Sequence, residues 1–300
     1  MQTLASSRDR SLKGSVVALV CCMALFVGAV LVASWAQRDF GNVDVSNVHY
    51  LNFNGIPLRA KLLRPLGATG QNPMPGIVYI HGYQNNRENG DAYCIELARR
   101  GFVVLNIDAI GRGNSGIPND PDAPDFDVTY GGRSSLEFLR NLAFVNPEAV
   151  GMMGHSLGAE MAYTVALQDQ GVKALVITGF AYTTEATATH PRNMLMIIGR
   201  WDEYRQRMTG TRDIVNEWMA TPQTAHAIPV ANPQIGRTYG NFADGSARRV
   251  FVPNAIHIQV AHSSASIAEA VQWMQQALKP ADELWISADD QIWQIKEWAT

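Results

Sequence analysis

The sequence predicts an α/β protein: a mostly parallel, twisted sheet with helices on both faces, preceded by one transmembrane helix. Short runs of consecutive apolar residues, such as 76–80 and 102–107, alternate with segments of helical periodicity. Strands that are apolar at every position are typical of parallel sheets buried on both faces. A long uncharged stretch at residues 15–36 comes before this pattern.

The composition is that of a globular chain with a sizeable core. Hydrophobic residues make up 47% and charged residues 17% of the 300 residues, which argues against disorder. The net charge is -3 and no basic stripe is present, so nucleic acid is not an expected partner. Cys21, Cys22 and Cys94 lack CxxC or Cys/His ligand spacing, so we predict neither a disulfide framework nor a metal site.

The uncharged N-terminal stretch predicts a membrane anchor. Residues 15–36 match the roughly 20 residues needed to cross a hydrocarbon core of about 30 Å. Three basic residues precede it, Arg8, Arg10 and Lys13, so residues 1–14 are expected to be a short cytoplasmic tail and the rest extracytoplasmic. A signal peptide cleaved after Ser34-Trp35-Ala36 is the main alternative, although the stretch exceeds the usual apolar core of 7–15 residues. A buried core helix is the third reading.

The globular domain is predicted to span residues 45–279 and to begin with a hairpin. Strand-like runs at 48–53 and 56–63 flank Asn54-Gly55, a strong signal for a tight turn. Further strands are predicted at 76–80, 102–107, 149–153, 174–178, 194–198 and 250–252. Helices are predicted at 91–100, around 136–142, at 157–167 and at 267–278.

Two segments depart from this alternation. Residues 203–247 are predicted to hold a helix around 213–219 and then a loop rich in Pro, Gly, Asn and Thr. An insertion before the last strand lies over the carboxyl edge of the sheet, where ligands bind. Residues 280–300 form a C-terminal extension that contains Trp285, Trp293 and Trp298. Three alternatives are open for this extension: it packs on the domain, it lies at the membrane surface, or it leads into a further segment.

The sharpest local signal is Gly154-His155-Ser156-Leu157-Gly158, between a predicted strand and a predicted helix. In this setting the turn is so tight that the positions two before and two after the serine require glycine or a very small residue. The serine then projects from the sheet edge towards the free N–H groups of the helix. Ser156 is the candidate nucleophile; a glycine-rich turn with an incidental serine is the alternative.

A serine hydroxyl needs a base to take its proton and a carboxylate to orient that base. Asp202 follows the predicted strand 194–198 and is the candidate acid, with Glu203 and Asp213 as alternatives. His257 follows the predicted strand 250–252 and is the candidate base, with His262 as the alternative. The remaining histidines outside the motifs are interpreted as ordinary residues: His49, His190 and His226.

Two backbone N–H groups are needed to bind a developing oxyanion. One is predicted to come from Leu157, directly after the nucleophile, and the other from Tyr83, in the turn after the strand 76–80. Gly82 would let the backbone approach closely, and His81 is interpreted as structural.

A competing motif is the G-x-G-x-x-G pattern at residues 111–116. It binds dinucleotides only where it opens a helix, so that the pyrophosphate meets the helix N-terminus. Here Pro118, Pro121 and Pro124 follow and prevent an early helix. Nucleotide binding is therefore not expected.

Together these motifs resemble the α/β-hydrolase superfamily, which implies an α/β-hydrolase fold over most of residues 48–278. The resemblance rests on His81-Gly82, on Asp108 with Gly111, Gly113 and Ser115, on the motif around Ser156, and on Asp202 and His257. Within the superfamily, the chain is similar to the dienelactone-hydrolase-like and acyl-peptidase-like branch and to membrane-anchored bacterial hydrolases. A serine nucleophile departs from the Asp of the epoxide and haloalkane branch and from the Cys of true dienelactone hydrolases.

The resemblance implies hydrolysis of a carboxylic ester through an acyl-enzyme, with no metal or organic cofactor. Ser156 would be the nucleophile, Asp202 the acid and His257 the base, and Tyr83 and Leu157 the oxyanion donors. The expected partners are a small ester or acyl substrate and the membrane. Amide hydrolysis, acyl transfer and a catalytically silent binding domain are the alternatives, and the oligomeric state is left open.

Overall fold

The consecutive apolar runs form the centre of an eight-stranded sheet in the computed structural model, which describes residues 2–181 and 184–300. The strands are β1 (Val43–Leu51), β2 (Pro57–Pro65), β3 (Met74–Ile80), β4 (Val103–Asp108), β5 (Val145–His155), β6 (Val172–Thr178), β7 (Met194–Ile197) and β8 (Arg248–Phe251). Their order across the sheet is β1-β2-β4-β3-β5-β6-β7-β8. Strand β2 is antiparallel to both β1 and β4, and β3 to β8 are all parallel. The predicted mostly parallel sheet is therefore confirmed.

Helices cover both faces of the sheet, as predicted. They are α1 (Gln2–Gln37), α2 (Asp91–Ala98), α3 (Gly132–Arg140), α4 (Leu157–Gln168), α5 (Arg205–Thr209), α6 (Ile214–Glu217), α7 (Pro222–Ala227), α8 (Ser264–Leu278) and α9 (Trp293–Ala299). Helices α3 and α4 share one core with Val78 of β3, whereas α2 and α8 share the other core with its neighbour Ile77. Successive residues of a strand thus enter opposite cores, which is why the central strands are apolar at every position.

The insertion at residues 203–247 contains three short helices, α5, α6 and α7, rather than the single helix predicted around 213–219. Asp213 caps α6, because its carboxylate accepts hydrogen bonds from the N–H groups of Val215 and Asn216 at 3.1 and 3.3 Å. The α-helix ends at Glu217 and continues as a single 3₁₀ turn. Short helices of this kind owe their stability to the surfaces they cover rather than to their own propensity.

Helix α1 is continuous, and its apolar part stands away from the sheet. An 18-residue window within Lys13–Gln37 has a mean hydropathy of 3.0. At 1.5 Å per residue, these 25 residues reach about 37 Å, enough to cross a bilayer. Only 6% of that window is buried, whereas an all-apolar core helix is buried on every side. The core-helix alternative therefore does not describe α1.

Residues 280–300 pack against the domain, which is one of the three locations left open by the sequence. The buried Glu96 accepts hydrogen bonds from the N–H groups of Ile292 and Trp293 at 2.7 and 3.0 Å, at the start of α9. The buried Arg100 pairs with Glu96 at 2.6 Å and donates to three main-chain carbonyls of the same segment, those of Ile286, Ser287 and Asp290. One ion pair, between Glu96 of α2 and Arg100 just after it, thus holds the C-terminal segment in place.

Glu96→Ala is expected to destabilise the fold strongly. The substitution leaves the Arg100 charge buried without its partner, which costs about 3–5 kcal/mol, or a fall in Tm of roughly 5–8 °C for a chain of this size. Thermal unfolding of the full chain in detergent, followed by near-UV circular dichroism, measures this. Glu148→Ala, at an exposed carboxylate, is the control, and equal Tm values for the two variants would contradict the expectation.

Candidate active site

Ser156 lies in a sharp turn between the end of β5 and the start of α4. Its backbone has φ +53° and ψ −120°, a conformation that residues with a side chain rarely adopt. A Cβ atom on Gly154 would lie 2.3 Å from the carbonyl oxygen of Gly158, and one on Gly158 would lie 2.2 Å from that of Ile80. Both glycines of the motif are therefore required by contact with backbone, as the spacing predicts.

The three candidate catalytic side chains meet above the carboxyl ends of the parallel strands. Ser156 Oγ lies 2.9 Å from His257 Nε2, and His257 Nδ1 lies 2.8 Å from Asp202 Oδ2. Asp202 and His257 are buried, and Ser156 is half-buried. In the tautomer that satisfies both contacts, Nδ1–H donates to the carboxylate and Nε2 accepts from the serine hydroxyl. This arrangement allows the imidazole to remove the serine proton.

The alternative acids and base have other contacts. Glu203 does not reach the imidazole ring; its carboxylate accepts the backbone N–H of His257 at 3.0 Å. Asp213 caps α6, as described above. The His262 ring lies 5.9 Å from that of Trp293. The structure therefore brings together Asp202 and His257, and not these alternatives, at Ser156.

Sequence reasoning missed how two residues hold the candidate base: His155, and Glu203, which was an alternative acid. His155 Nε2 donates to the carbonyl oxygen of His257 at 3.1 Å, and the two rings lie 5.0 Å apart. Burial and, to a smaller extent, the nearby His257 lower the pKa of His155 to about 4, so the ring is neutral. With Glu203 on the N–H and His155 on the carbonyl, His257 is held at both ends of its backbone. No sequence signal marks His155, because the motif leaves its position unspecified.

The two predicted oxyanion donors lie beside Ser156. Leu157 is the first residue of α4, and a Cβ atom on Gly82 would lie 3.3 Å from Ser156 Cβ, so the turn that carries Tyr83 touches the nucleophile. Neither the Leu157 N–H nor the Tyr83 N–H has a hydrogen-bond partner within residues 2–181 and 184–300. Both are available to a ligand atom at Ser156.

His81 has a structural position next to this turn. Its Nδ1–H donates to the carbonyl oxygen of Gly82 at 2.8 Å, and its Nε2 accepts the N–H of Ala109 at 3.2 Å. Burial lowers the pKa of this histidine. Neutral His81 thus ties the turn after β3 to the end of β4.

The glycine-rich segment at residues 111–116 folds around a carboxylate of the chain itself. Asp108 accepts hydrogen bonds from the N–H groups of Arg87 and Asn114 at 2.8 and 2.9 Å and pairs with the Arg87 guanidinium at 2.9 Å. A Cβ atom on Gly113, which has φ +51°, would lie 2.3 Å from that carboxylate. The next helix begins at Gly132. The loop therefore lacks the helix N-terminus that a pyrophosphate site requires.

A cavity of about 890 Å³ opens onto Ser156, near the upper end of the size range of small-ligand sites. The insertion forms part of its wall through Tyr204, Arg207, Met208 and Gln223. Other lining residues are Gly82, Tyr83, Gln84, Asn85, His155, Leu157, Glu160, Phe180, Ala181, Thr184, His257 and Ile258. Among the residues whose placement is described, no cluster of three potential metal-ligating side chains is found.

Because His155 is held neutral, the protein is expected to lose stability in acid. An unfolded histidine has a pKa of about 6.5, and that of the folded His155 is about 4. Between these values the unfolded chain binds the extra proton, so stability that is present above pH 6.5 is lost as the pH falls. The loss from pH 7 to pH 5 is about 2 kcal/mol.

Melting curves of the wild type and His155→Asn, recorded from pH 7 to pH 5, measure this contribution. Tm of the wild type should fall more steeply, since the amide does not titrate. Parallel curves for the two proteins would show that His155 has no such role.

Known proteins share this sequence pattern and fold. Residues 54–211 match the sequence profile of the X-Pro dipeptidyl-peptidase (S15) family. The chain is 28% identical over 201 residues to the uncharacterised protein PA2218 of Pseudomonas aeruginosa. The aligned residues cover 59% of this chain and 54% of that protein. It is 27% identical over 142 residues to thiohydrolase aneE of Aspergillus aculeatus, covering 46% and 42% respectively. The chain thus spans about half the length of these curated relatives.

Solved structures give the same fold. The crystal structure of PA2218 superposes with a TM-score of 0.56 and 18% identity, over 79% of this chain and 94% of that one. The esterase Pf2001 of Pyrococcus furiosus superposes with a TM-score of 0.56 and 14% identity, over 80% and 96%. The fold is therefore that of the α/β-hydrolases. Because the family profile covers more than half of the chain and includes the motif around Ser156, the chain belongs to the X-Pro dipeptidyl-peptidase (S15) family.

Proposed function

We propose that the protein is a serine hydrolase that cleaves a carboxylic ester through a covalent acyl-enzyme. The observation that carries this proposal is the chain of contacts from Ser156 Oγ through His257 to Asp202, at 2.9 and 2.8 Å. A buried carboxylate, an imidazole and a serine hydroxyl in this order are the parts that nucleophilic acyl transfer requires. The chemistry needs no cofactor.

In the proposed reaction, Ser156 Oγ attacks the carbonyl carbon and its proton passes to His257 Nε2. The negative charge that develops on the carbonyl oxygen accepts hydrogen bonds from the N–H groups of Leu157 and Tyr83. The tetrahedral intermediate collapses, the ester C–O bond breaks, and His257 gives its proton to the departing alkoxide. Water, deprotonated by His257, then hydrolyses the acyl-serine and restores the enzyme. Asp202 stabilises the imidazolium in both steps.

A small ester is the first choice of substrate, because the carbonyl carbon of an ester is more electrophilic than that of a resonance-stabilised amide. Peptide cleavage after an X-Pro dipeptide is the second candidate and is favoured by the S15 family match. Acyl transfer to an acceptor other than water uses the same residues, since the cavity and not the three catalytic side chains selects the acceptor.

We further propose that α1 anchors the hydrolase in a membrane, with the catalytic domain on the extracytoplasmic side. The length and hydropathy of Lys13–Gln37 support the anchor, and Arg8, Arg10 and Lys13 support the orientation. A cleaved signal peptide is the alternative, and mature protein beginning near Gln37 in a cell extract would favour it.

Turnover of p-nitrophenyl esters and of X-Pro p-nitroanilides by the full chain in detergent tests the chemistry. Ser156→Ala is expected to lower kcat by roughly 10⁴-fold or more, and Ser287→Ala, at an exposed serine, should leave it unchanged. Faster turnover of the anilides than of the esters would favour the peptidase. Equal turnover by the wild type and Ser156→Ala would exclude Ser156 as the nucleophile.

Glu203 is expected to position His257 through a hydrogen bond rather than through its charge. Glu203→Ala removes the acceptor of the His257 N–H and should lower kcat by about tenfold, the equivalent of one part-buried hydrogen bond. Glu203→Gln keeps an acceptor oxygen and should stay within about threefold of the wild type. Equal losses in both variants would indicate a role for the charge, and KM is expected to stay constant in both.

A further inference from the structure

Among the exposed large apolar side chains of the described residues, four lie in the last turn of α1, just after α1, or on α9. The exposed fractions are 87% for Trp298, 58% for Trp35, 40% for Phe40 and 37% for Ile295. The rings of Trp35 and Phe40 meet edge to face at 4.8 Å. These four residues are called the aromatic patch below.

The two parts of the aromatic patch are joined through one buried carboxylate. Helix α9 packs against α1, and Ala33 and Ala36 are buried on α1. Asp91 Oδ2 accepts a hydrogen bond from Gln37 Nε2 at 3.0 Å and pairs with Lys296 Nζ at 3.1 Å. The last residue of α1 and the middle of α9 therefore lie within side-chain reach of the same carboxylate.

Helix α9 has an inner and an outer face. Trp293 and Lys296 are buried, whereas Ile295 and Trp298, also three residues apart, are exposed. Residues three apart share a helix face, so the outer face carries an isoleucine and a tryptophan at positions where a helix facing water carries polar residues. An exposed apolar face of this kind marks a surface that contacts something other than water.

The length of α1 indicates what that contact is. Lys13–Gln37 reaches about 37 Å, which exceeds a hydrocarbon core of about 30 Å, so at least one end of the segment lies among the lipid headgroups. Trp35 is on the last turn of the segment, next to the domain, which itself stays in water. Tryptophan is enriched at this depth, because its ring is amphipathic. Trp298 lies two residues beyond Lys296 on α9, the helix that packs against α1.

We propose that the aromatic patch lies in the headgroup region of a bilayer and that α9 is a second, interfacial contact of the domain with the lipid. This inference rests on the membrane anchor proposed above. The C-terminal helix would fix the orientation of the domain on the membrane, while α1 supplies the attachment.

A fluorescent label that reports lipid contact tests the proposal. The full chain carrying Cys21→Ala and Cys22→Ala, with Cys94 buried, receives a single NBD-labelled cysteine at Trp298→Cys. It is reconstituted into phosphatidylcholine vesicles with or without lipid spin-labelled near the headgroup. Trp35→Cys is the positive control for this depth.

Ile117→Cys is the matched negative control, because Ile117 is 85% exposed, much like Trp298. The N–H of its neighbour Gly116 donates to the carbonyl of Pro57 at 2.7 Å, and Pro57 pairs with Leu51 at the far end of β1. Eight residue steps of strand, about 27 Å, separate that end from Val43, where the chain leaves α1.

We expect spin-labelled lipid to quench the label at position 298 at least about twofold more than the label at position 117, as at position 35. A label at 298 that is blue-shifted but not quenched would instead place a protein partner or a second copy on the patch, and a label like that at 117 would leave the patch in water. Either result overturns the proposal.

Ester hydrolysis by the same vesicles separates this proposal from the hydrolase function. Quenching at position 298 without turnover would overturn the hydrolase function alone. Turnover without quenching would overturn the role of the aromatic patch alone. Protein that fails to float with the vesicles would overturn the anchor and the patch together.

Discussion

The first turn of α4 and the end of β3 touch backbone to backbone, and the site depends on this contact. Gly158 has no room for a Cβ atom against the carbonyl oxygen of Ile80, so α4 starts as close to the sheet as a peptide chain can. Ser156 must then adopt a positive φ of 53°, which costs on the order of 1–2 kcal/mol for a residue with a side chain. The same contact places the turn at Gly82 beside the nucleophile. The strain at Ser156 and the positions of the candidate nucleophile and candidate oxyanion donors thus have one geometric cause.

The order of the strands explains why the candidate base needs support. His257 follows β8, which is three strands away from β5 and Ser156, a distance of about 14 Å at the usual strand spacing. The loop after β8 must therefore return across the edge of the sheet to reach the serine. Glu203 and His155 hold its backbone there, and the ring of Tyr204 packs edge-on against the imidazole at 4.9 Å.

Local patterns predicted the sheet and supplied the five candidate site residues, whereas features that depend on distant contacts escaped prediction. The strand runs and the glycine spacing around Ser156 are visible within a few residues. Asp202 and Glu203 both follow β7, so their positions in the sequence do not distinguish them. In the folded turn, Tyr204 N–H donates to Asp202 Oδ1 at 2.8 Å, and Asp202 Oδ2 contacts His257. The C-terminal segment is held by Glu96, which lies 196 residues before Ile292. No periodicity within the segment could reveal that contact.

The connection between α1 and the sheet is short and is held to the domain by an ion pair. Residues 38–42 join α1 to β1, and Asp39 pairs with Arg99 of the loop after α2 at 3.1 Å. A flexible linker would let the domain move away from the membrane over a distance that grows with the square root of the linker length. This connection is not flexible in that way. With α1 in a bilayer, the mouth of the cavity therefore keeps a fixed distance from the membrane surface and a fixed orientation relative to it. The cavity would then meet only substrate at that distance from the membrane surface. The local substrate concentration there, rather than the bulk concentration, would set the rate.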